Sequence, residues 1–390
     1  GLCLKQEKGK PEFALKVGKG SNISRNRKAL DRKLMGKEVL SIDLGQHTSK
    51  LVLGKITKSA IEIKRAFVLK TPAGCIENGK ILDAGKLVNQ LRQLVKEEKI
   101  KARYALCTVE NAEVITREIV LPTSDEASMQ SMLEFEVQQY IPVELSDYIV
   151  QSKIIEDFVH NEVKKTRFLS AAVPKELVGN YYHIIQDLGI EPIILDIQSN
   201  SVDKLAFAEI RAGDTLELKD QSVAIVDFGY SHINVVLVED GKYHFNRFIA
   251  EGAASIDRSL MSFFGCTIDE VERLKLLNID LTPSEEQSGT KDQSEDTMHA
   301  VNMAKNVIDG WVMELERIFK FYAGRSLGNT VQKILIYGGT AQMQGFDAYL
   351  SKSFSLPVHR IKSLSGVKQQ DAANATIAPF VNAIGTLIRR

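Results

Sequence analysis

Two aspartates and two glycines, in matching settings 184 residues apart, are the residues of this 390-residue chain best placed to do chemistry. Val39 to Leu53 reads VLSIDLGQHTSKLVL and Val223 to Leu237 reads VAIVDFGYSHINVVL, so Asp43 falls on Asp227 and Gly45 on Gly229 without a gap. Each copy reads as a strand, an Asp-apolar-Gly tip and a returning strand. Such tips suit phosphate, because glycine admits close backbone approach and successive N–H groups form a concave anion site. An aspartate at each strand end can hold Mg2+ through its waters. The first tip adds the hydroxyls of Thr48 and Ser49 and the cation of Lys50, and the second adds Ser231. A single Asp-x-Gly marks no more than a turn; the duplication and a third element carry the reading. Lys333 to Tyr337 (KILIY) is a strand that runs into Gly338-Gly339-Thr340-Ala341 and then a helix at about 343–354. Paired glycines between strand and helix suit close approach to a base or ribose. The expectation is a nucleotide cleft, with Asp43 and Asp227 as the metal-binding pair.

In this order the three elements resemble the superfamily of actin, the heat-shock chaperones and hexokinase. Within it the chain is similar to the FtsA and PilM branch, bacterial actin-like proteins of division and type IV pilus assembly. IYGGTAQMQGFDAYLSKSFSLPV (336–358) resembles the adenosine-binding stretch of that branch, and VERLK (271–275) resembles its helix carrying a Glu and a Lys, here Glu272 and Lys275, near the ribose. EFEVQQYIPVELSDYIVQSKII (134–155) is similar to the helix-plus-sheet subdomain peculiar to the branch, and lies nearer the pilus protein. The resemblance covers 37–390. It implies an α/β, two-lobed actin-like (ribonuclease H-like) ATPase fold with an extra FtsA/PilM-type subdomain. The implied division gives 37–120, 190–218 and 375–390 to the first lobe and 121–189 to the extra subdomain. Residues 219–374 form the second lobe, with inserted helices at about 253–325. It also implies ATP or ADP with Mg2+ between the lobes, and a site for the short cytoplasmic N-terminal peptide of a PilN-like membrane protein. That groove is expected beside the extra subdomain, lined by Phe135, Tyr140, Ile141 and Tyr148. Other pilus assembly proteins are implied as further partners, and the place is the cytoplasm, peripheral to the inner membrane.

The second tip departs from the pattern. Gly229-Tyr230-Ser231-His232-Ile233 holds one glycine, and Tyr230 and His232 bring bulk where backbone should meet phosphate. The superfamily positions an attacking water from a residue just after the strand corresponding to Ile193–Ile197. Gln198 and Asp196 are the candidates, and no motif marks either. Binding is therefore expected over turnover, with His47 a polar loop residue and no catalytic base. The alternatives are an FtsA-like filament former, an active ATPase or a small-molecule kinase. A kinase needs a substrate site with a general base, and the sequence offers no such motif.

Composition narrows the classes. Apolar residues make up 44% and charged residues 26%, ordinary for a globular protein. No apolar run approaches the ~20 residues that span a membrane. Cys3, Cys75, Cys107 and Cys266 lie far apart with no Cys-x-x-Cys, which reads as free thiols in a reducing compartment. The seven histidines show no metal-ligand spacing. Residues 1–38 hold 11 Lys/Arg against 4 Asp/Glu, a balance of +7 that leaves −7 on the remainder. Residues 1–36 read as a basic flexible arm, suited to a partner or an anionic membrane surface. A single aromatic, Phe13, argues against nucleic acid.

The elements that must position these residues read as α/β. Strands are expected at 39–43, 50–56 and 61–69, a helix at about 84–98, and strands at 104–108 and 114–120. Ser124 can cap a helix whose face is Met129, Met132, Leu133, Val137 and Tyr140, stopped by Pro142. A hairpin (148–158 and 164–172) and a helix ending at Gly189 follow. The second half repeats the meander over 223–248, then helices at about 253–264 and 268–277. A mobile loop is expected over 280–296 and a terminal helix over 375–388. Val301, Ala304, Ile308, Trp311, Leu315, Ile318 and Tyr322 form a stripe expected to pack on the second sheet.

Overall fold

A computed structural model describes residues 2–3, 30–57, 60–141, 144–207, 210–211, 218, 221–282, 294–325, 329–364, 366–369 and 376–388. The first meander is β1 (Glu38–Leu44), β2 (Thr48–Ile56) and β3 (Ile61–Lys70). Helix α1 (Ala84–Glu97) leads to β4 (Tyr104–Val109) and β5 (Ile115–Pro122). Then come α2 (Glu126–Tyr140), the hairpin β6 (Tyr148–His160) and β7 (Val163–Pro174), and α3 (Lys175–Asp187). Strand β8 (Glu191–Ile197) and α4 (Gln198–Phe207) close the first half. The second meander is β9 (Ser222–Phe228), β10 (Ile233–Glu239) and β11 (Lys242–Ile249). Helices α5 (Ala253–Phe264), α6 (Ile268–Asn278) and α7 (Glu295–Ala323) precede β12 (Lys333–Tyr337). The chain ends through α8 (Phe346–Phe354), β13 (Val358–Arg360), β14 (Val367–Gln369) and α9 (Val381–Leu387).

The duplicated sequence is a duplicated sheet. One sheet has the order β8-β4-β1-β2-β3 and the other β13-β12-β9-β10-β11. In both, the first strand pairs antiparallel to the next and parallel to the strand entering on its other side. The central strands read as almost unbroken apolar runs because helices cover both faces. Helices α4 and α9 lie in the core between the two sheets, where Val202, Leu205, Val381 and Ile384 meet Val39, Val52, Ile225 and Val236. They cross closely: a Cβ added to Gly385 would stand 2.5 Å from the Ser201 carbonyl. Val178, Tyr181 and Leu87 cover the outer face of the first sheet. Trp311 and the rest of the α7 stripe cover that of the second, so the stripe is core as expected. The extra subdomain is a β5-β7-β6 sheet with α2 on one face, packed through Leu133, Val137, Phe168 and Ile119.

Five boundaries differ from the sequence expectation. Asp125 caps α2 in place of Ser124, its carboxylate accepting from the Ala127 and Ser128 N–H groups; standing one residue later, it reaches the first free donors. Residues 30–34 are helical and Leu34 is fully buried, so the end of the basic stretch belongs to the core, Leu30 and Leu34 falling on one face. The rest of that arm lies outside the described residues except Leu2–Cys3. Strand β14 pairs with Ile61–Ile63 and so joins the first sheet, although it falls in the stretch expected for the second lobe. Helix α7 starts at Glu295 behind a Ser294 cap, which shortens the expected 280–296 loop; 283–293 lie outside the described residues. Helix α9 begins only after a short turn of 3-10 helix at Ala378–Phe380, where Pro379 disfavours a continuous α-helix from upstream. Among the described residues no helix is long and apolar enough to cross a membrane.

Candidate functional site

Asp43 ends β1 with its neighbours already fixed. Asp43 pairs across the ladder with Lys50, so both side chains share one face, and the Thr108 hydroxyl of β4 donates to the Asp43 carboxylate at 3.0 Å. The turn needs Gly45, where a Cβ would stand 2.6 Å from the Thr48 carbonyl. Ser49 points to the other face. Its hydroxyl is buried against that of Thr71 at 2.9 Å, and Thr71 in turn donates to the Gly45 carbonyl at 2.7 Å. Ser49 therefore builds the tip and does not line the cleft, a correction that follows from strand alternation.

The second tip is closed by the Gly229 N–H donating to the His232 carbonyl at 3.1 Å. Asp227 ends β9, and the Asn382 amide of α9 donates to its carboxylate at 2.9 Å. Asn382 also accepts from the Tyr337 hydroxyl at 2.8 Å, while the Ser41 hydroxyl donates to the Ala383 carbonyl at 2.7 Å. Helix α9 thus ties both phosphate strands together from beneath. Gly338 completes the tip with φ +95°. A Cβ there would lie 2.7 Å from the Phe228 carbonyl and closer still to the Asp227 carboxylate. Beside it, Gly339 faces open space, and the Thr340 hydroxyl donates to the Gly229 carbonyl at 3.3 Å.

The two lobes meet across this cleft. The His47 ring stacks on Tyr230 at 4.5 Å, and its Nε2 stands 3.4 Å from Glu272. Lys70 of the first lobe pairs with Glu272 at 3.2 Å and Asp269 at 3.0 Å. Gln198, at the start of α4, meets the His232 Nε2 at 3.3 Å. The Asn234 amide donates to the buried Glu110 at 3.3 Å. Lys275 is paired with the buried Asp257, and both stand near Tyr230 and His47 at the cleft. Ser231 is 3.2 Å from the Nδ1 of His232, which it orients.

A family model described as type IV pilus assembly protein PilM matches residues 41–381. The chain belongs to the PilM family. A solved PilM–PilN type IV pilus biogenesis complex is similar to it at 18% identity and TM-score 0.74, covering 91% of this chain and 98% of that one. The ethanolamine utilization protein EutJ from Carboxydothermus hydrogenoformans follows at 14% identity and TM-score 0.53, covering 95% and 97%. A diol dehydratase-reactivating factor in nucleotide-free form stands at 8% identity and TM-score 0.50, covering 90% and 99%. At such identities the likeness is one of fold: the two-lobed actin-like ATPase fold, which here carries the family's extra subdomain.

The cleft of this PilM-family chain is electrostatically unusual. Burial pushes the Glu110 carboxyl up to about 8, opposed by the Asn111 N–H and reinforced by Asp227. Burial raises Asp227 to about 7, opposed by Asn382 and reinforced by Asp43. Burial lowers His232 to about 4, so its ring is neutral at pH 7 and meets Gln198 as an uncharged partner. A carboxyl raised on folding holds its proton more tightly in the folded chain. Its stabilisation is full below the unfolded value of about 4.5 and is lost as pH climbs towards 8. In EDTA, Glu110→Gln should melt about 3 °C or more above the parent at pH 8.5 and lose that margin at pH 5.5. Equal melting at pH 8.5 would refute the buried charge.

The structure separates the two water-positioning candidates. Gln198 lies in the cleft. Asp196, 1% exposed, turns away to pair with Lys204 at 2.6 Å and to accept from Asn200 at 2.7 Å. It lines a pocket between the first lobe and the extra sheet, with Ile197, Asn200, Gln151, Lys153 and Leu169 among its walls. This pocket opens on the face of β6 and β7 opposite α2, so Phe135 (59% exposed) and Tyr140 (56%) of α2 stand off it. Ile141 is 1% exposed, and the half-buried Tyr148 packs against the same core. Sequence reasoning missed Asn382, Glu110 and the pocket residues, because each acts through a partner distant in sequence. Only the ends of β4 and β8 as further tips of a repeated sheet could have pointed to Glu110 and the pocket.

Proposed function

We propose that this chain binds ATP with Mg2+ between its lobes and holds the short cytoplasmic N-terminal peptide of a PilN-like membrane protein. It would do so as a scaffold of type IV pilus assembly at the cytoplasmic face of the inner membrane. The observation that carries the nucleotide reading is the convergence of Asp43, Asp227 and Lys50 beneath an open approach at Gly339. Two carboxylates without a third ligand suit an ion held through its waters; among the described residues no group of three or more His, Cys, Asp or Glu side chains converges on a direct metal site. When bound, ATP-Mg supplies polyphosphate charge that both tips contact. The chain's own residues do the rest. Asp43 and Asp227 orient the ion's waters, the turn N–H groups receive phosphate oxygens, and Glu272 lies nearest the expected ribose. Gln198, held by a neutral His232, can orient a water but has no charged base beside it, which favours binding over turnover.

The peptide reading is supported by the pocket between the face of β6 and β7 and the end of β8, beside a sheet edge to which an extended chain can add main-chain hydrogen bonds while alternate side chains fill an apolar slot. Calorimetric titration with ATP and Mg2+, followed by a phosphate-release assay, tests the first half. Saturable binding with little release is expected; no binding overturns it, and fast release favours an ATPase or filament. A labelled PilN-like N-terminal peptide tests the second half, and lack of saturable binding overturns it.

A further inference from the structure

The two sheets repeat strand for strand, yet the first carries an addition that the second lacks among the described residues. On the outer edge of β8 lies a strand of two residues, Leu2–Cys3, antiparallel, with Leu2 opposite Leu195 and Cys3 opposite Ile194. The corresponding strand of the second sheet, β13, ends its sheet with no further strand beyond it among the described residues. An uncovered edge presents a row of free N–H and C=O groups, and β8 meets this by borrowing a segment from far away in sequence.

The borrowed pairing is short. The segment rejoins the described fold at Leu30–Leu34, where Lys33 pairs with Glu191 at 2.6 Å at the start of β8. From Glu191 to Leu195 is about 13 Å of strand, and residues 4–29 are far more chain than that span needs. A pairing of two residues makes no more than a few ladder hydrogen bonds, each worth about 1 kcal/mol net, a hold that a longer competing strand can match. The edge also runs directly into the pocket, because Asp196 and Ile197 follow Leu195 on the same strand. An antiparallel occupant of β8 therefore directs its own N-terminal side towards the pocket mouth.

We propose that the outer edge of β8 is a docking site for an extended peptide strand, that Leu2–Cys3 is its resident occupant in cis, and that a partner's extended peptide enters by displacing this segment. The displacement deepens the peptide reading given above; the cis docking stands without it. Leu2–Cys3 would then act as a built-in competitor, released when the partner binds.

Hydrogen–deuterium exchange of the full chain tests this. The comparison is between the parent and Leu2→Pro/Cys3→Pro, since proline removes the donors that a ladder needs. Amides between Ile193 and Asp196 should exchange at least about tenfold faster in the variant, and a synthetic peptide of residues 1–12 at millimolar concentration should restore their protection. Cys3→Pro alone serves as the milder variant if the double change disturbs folding. Equal exchange in parent and variant overturns the cis strand. Faster exchange that the peptide does not reverse overturns the docking site. Added PilN-like peptide should expose the arm in the parent; if it binds while both exchange patterns stay unchanged, displacement fails and peptide binding survives.

Discussion

Gly339→Trp should weaken ATP-Mg binding at least about a hundredfold, some 2.7 kcal/mol, while the melting temperature stays within about 2 °C of the parent. The reasoning is steric and local. An added Cβ at Gly339 meets nothing within 4 Å, so the empty chain accommodates a side chain there without rearrangement. An indole there stands in the open space beside the tips, where base and ribose are expected. Gly338 is the internal control. Its φ of +95° and the carbonyl of Phe228 standing 2.7 Å from an ideal Cβ mean that Gly338→Ala strains the tip itself. That variant should lose stability and binding together. Asp43→Ala is the third arm, removing one carboxylate and leaving the Thr108 hydroxyl without its acceptor. Calorimetry alongside thermal melting distinguishes the cases. Unchanged ATP affinity in both Gly339→Trp and Asp43→Ala would remove the cleft from the functional argument.

Legibility followed the range of the interaction. Asp43, Gly45 and their repeat at Asp227 and Gly229 were readable because a tip is made within ten residues, and the repeat at a fixed offset turned a common turn into a pattern. Glycine at 338 was readable for the same reason. The bulk of Tyr230 and His232 was readable too, but its consequence was not. Those rings are accommodated by partners from other elements: Tyr230 stacks on His47, and His232 stacks on Phe248 at 4.8 Å while touching Gln198. Asn382 illustrates the limit most clearly. Within its helix it is an ordinary polar residue in an apolar run, and its importance comes from lying under Asp227, 155 positions away. Ser49 was counted with the cleft because hydroxyl-rich tips invite every hydroxyl to be counted, whereas period two admits alternate ones. The peptide groove was sought on α2 since its aromatics stand out in sequence. The pocket lined by Asp196 opens on the other face of the same sheet, and facing is a tertiary property.

The buried pair of Asp196 and Lys204 should show the largest stability effect of a single substitution. Lys204→Ala is expected to cost about 3–5 kcal/mol, read as a lowered urea midpoint at pH 7. The pair lies beneath the pocket, with Asn200 donating to the Asp196 carboxylate, and Lys153 reaching both Asn200 at 2.6 Å and Asp203 at 2.5 Å. Burial acts to raise Asp196, but the Lys204 ammonium and the Asn200 amide overcome it and hold the carboxyl well below its ordinary range. Such a carboxylate stabilises the fold above its unfolded value of about 3.8, and that contribution is lost as pH falls below it. Removing Lys204 reverses the sign. Asp196 then loses its ammonium partner at pH 7 and is relieved by taking up a proton in acid, so the deficit should shrink by pH 4.5. Replacing both partners with apolar residues of similar volume, Asp196→Leu with Lys204→Met, should be nearly neutral, because neither charge remains to be desolvated. A deficit that is the same at both pH values, or a double variant as unstable as Lys204→Ala, would mean that packing by the lysine stem, and not its charge, supports the pocket floor. The same variants then probe function: if an extended peptide docks above this pair, the double variant should fold like the parent and bind the peptide differently.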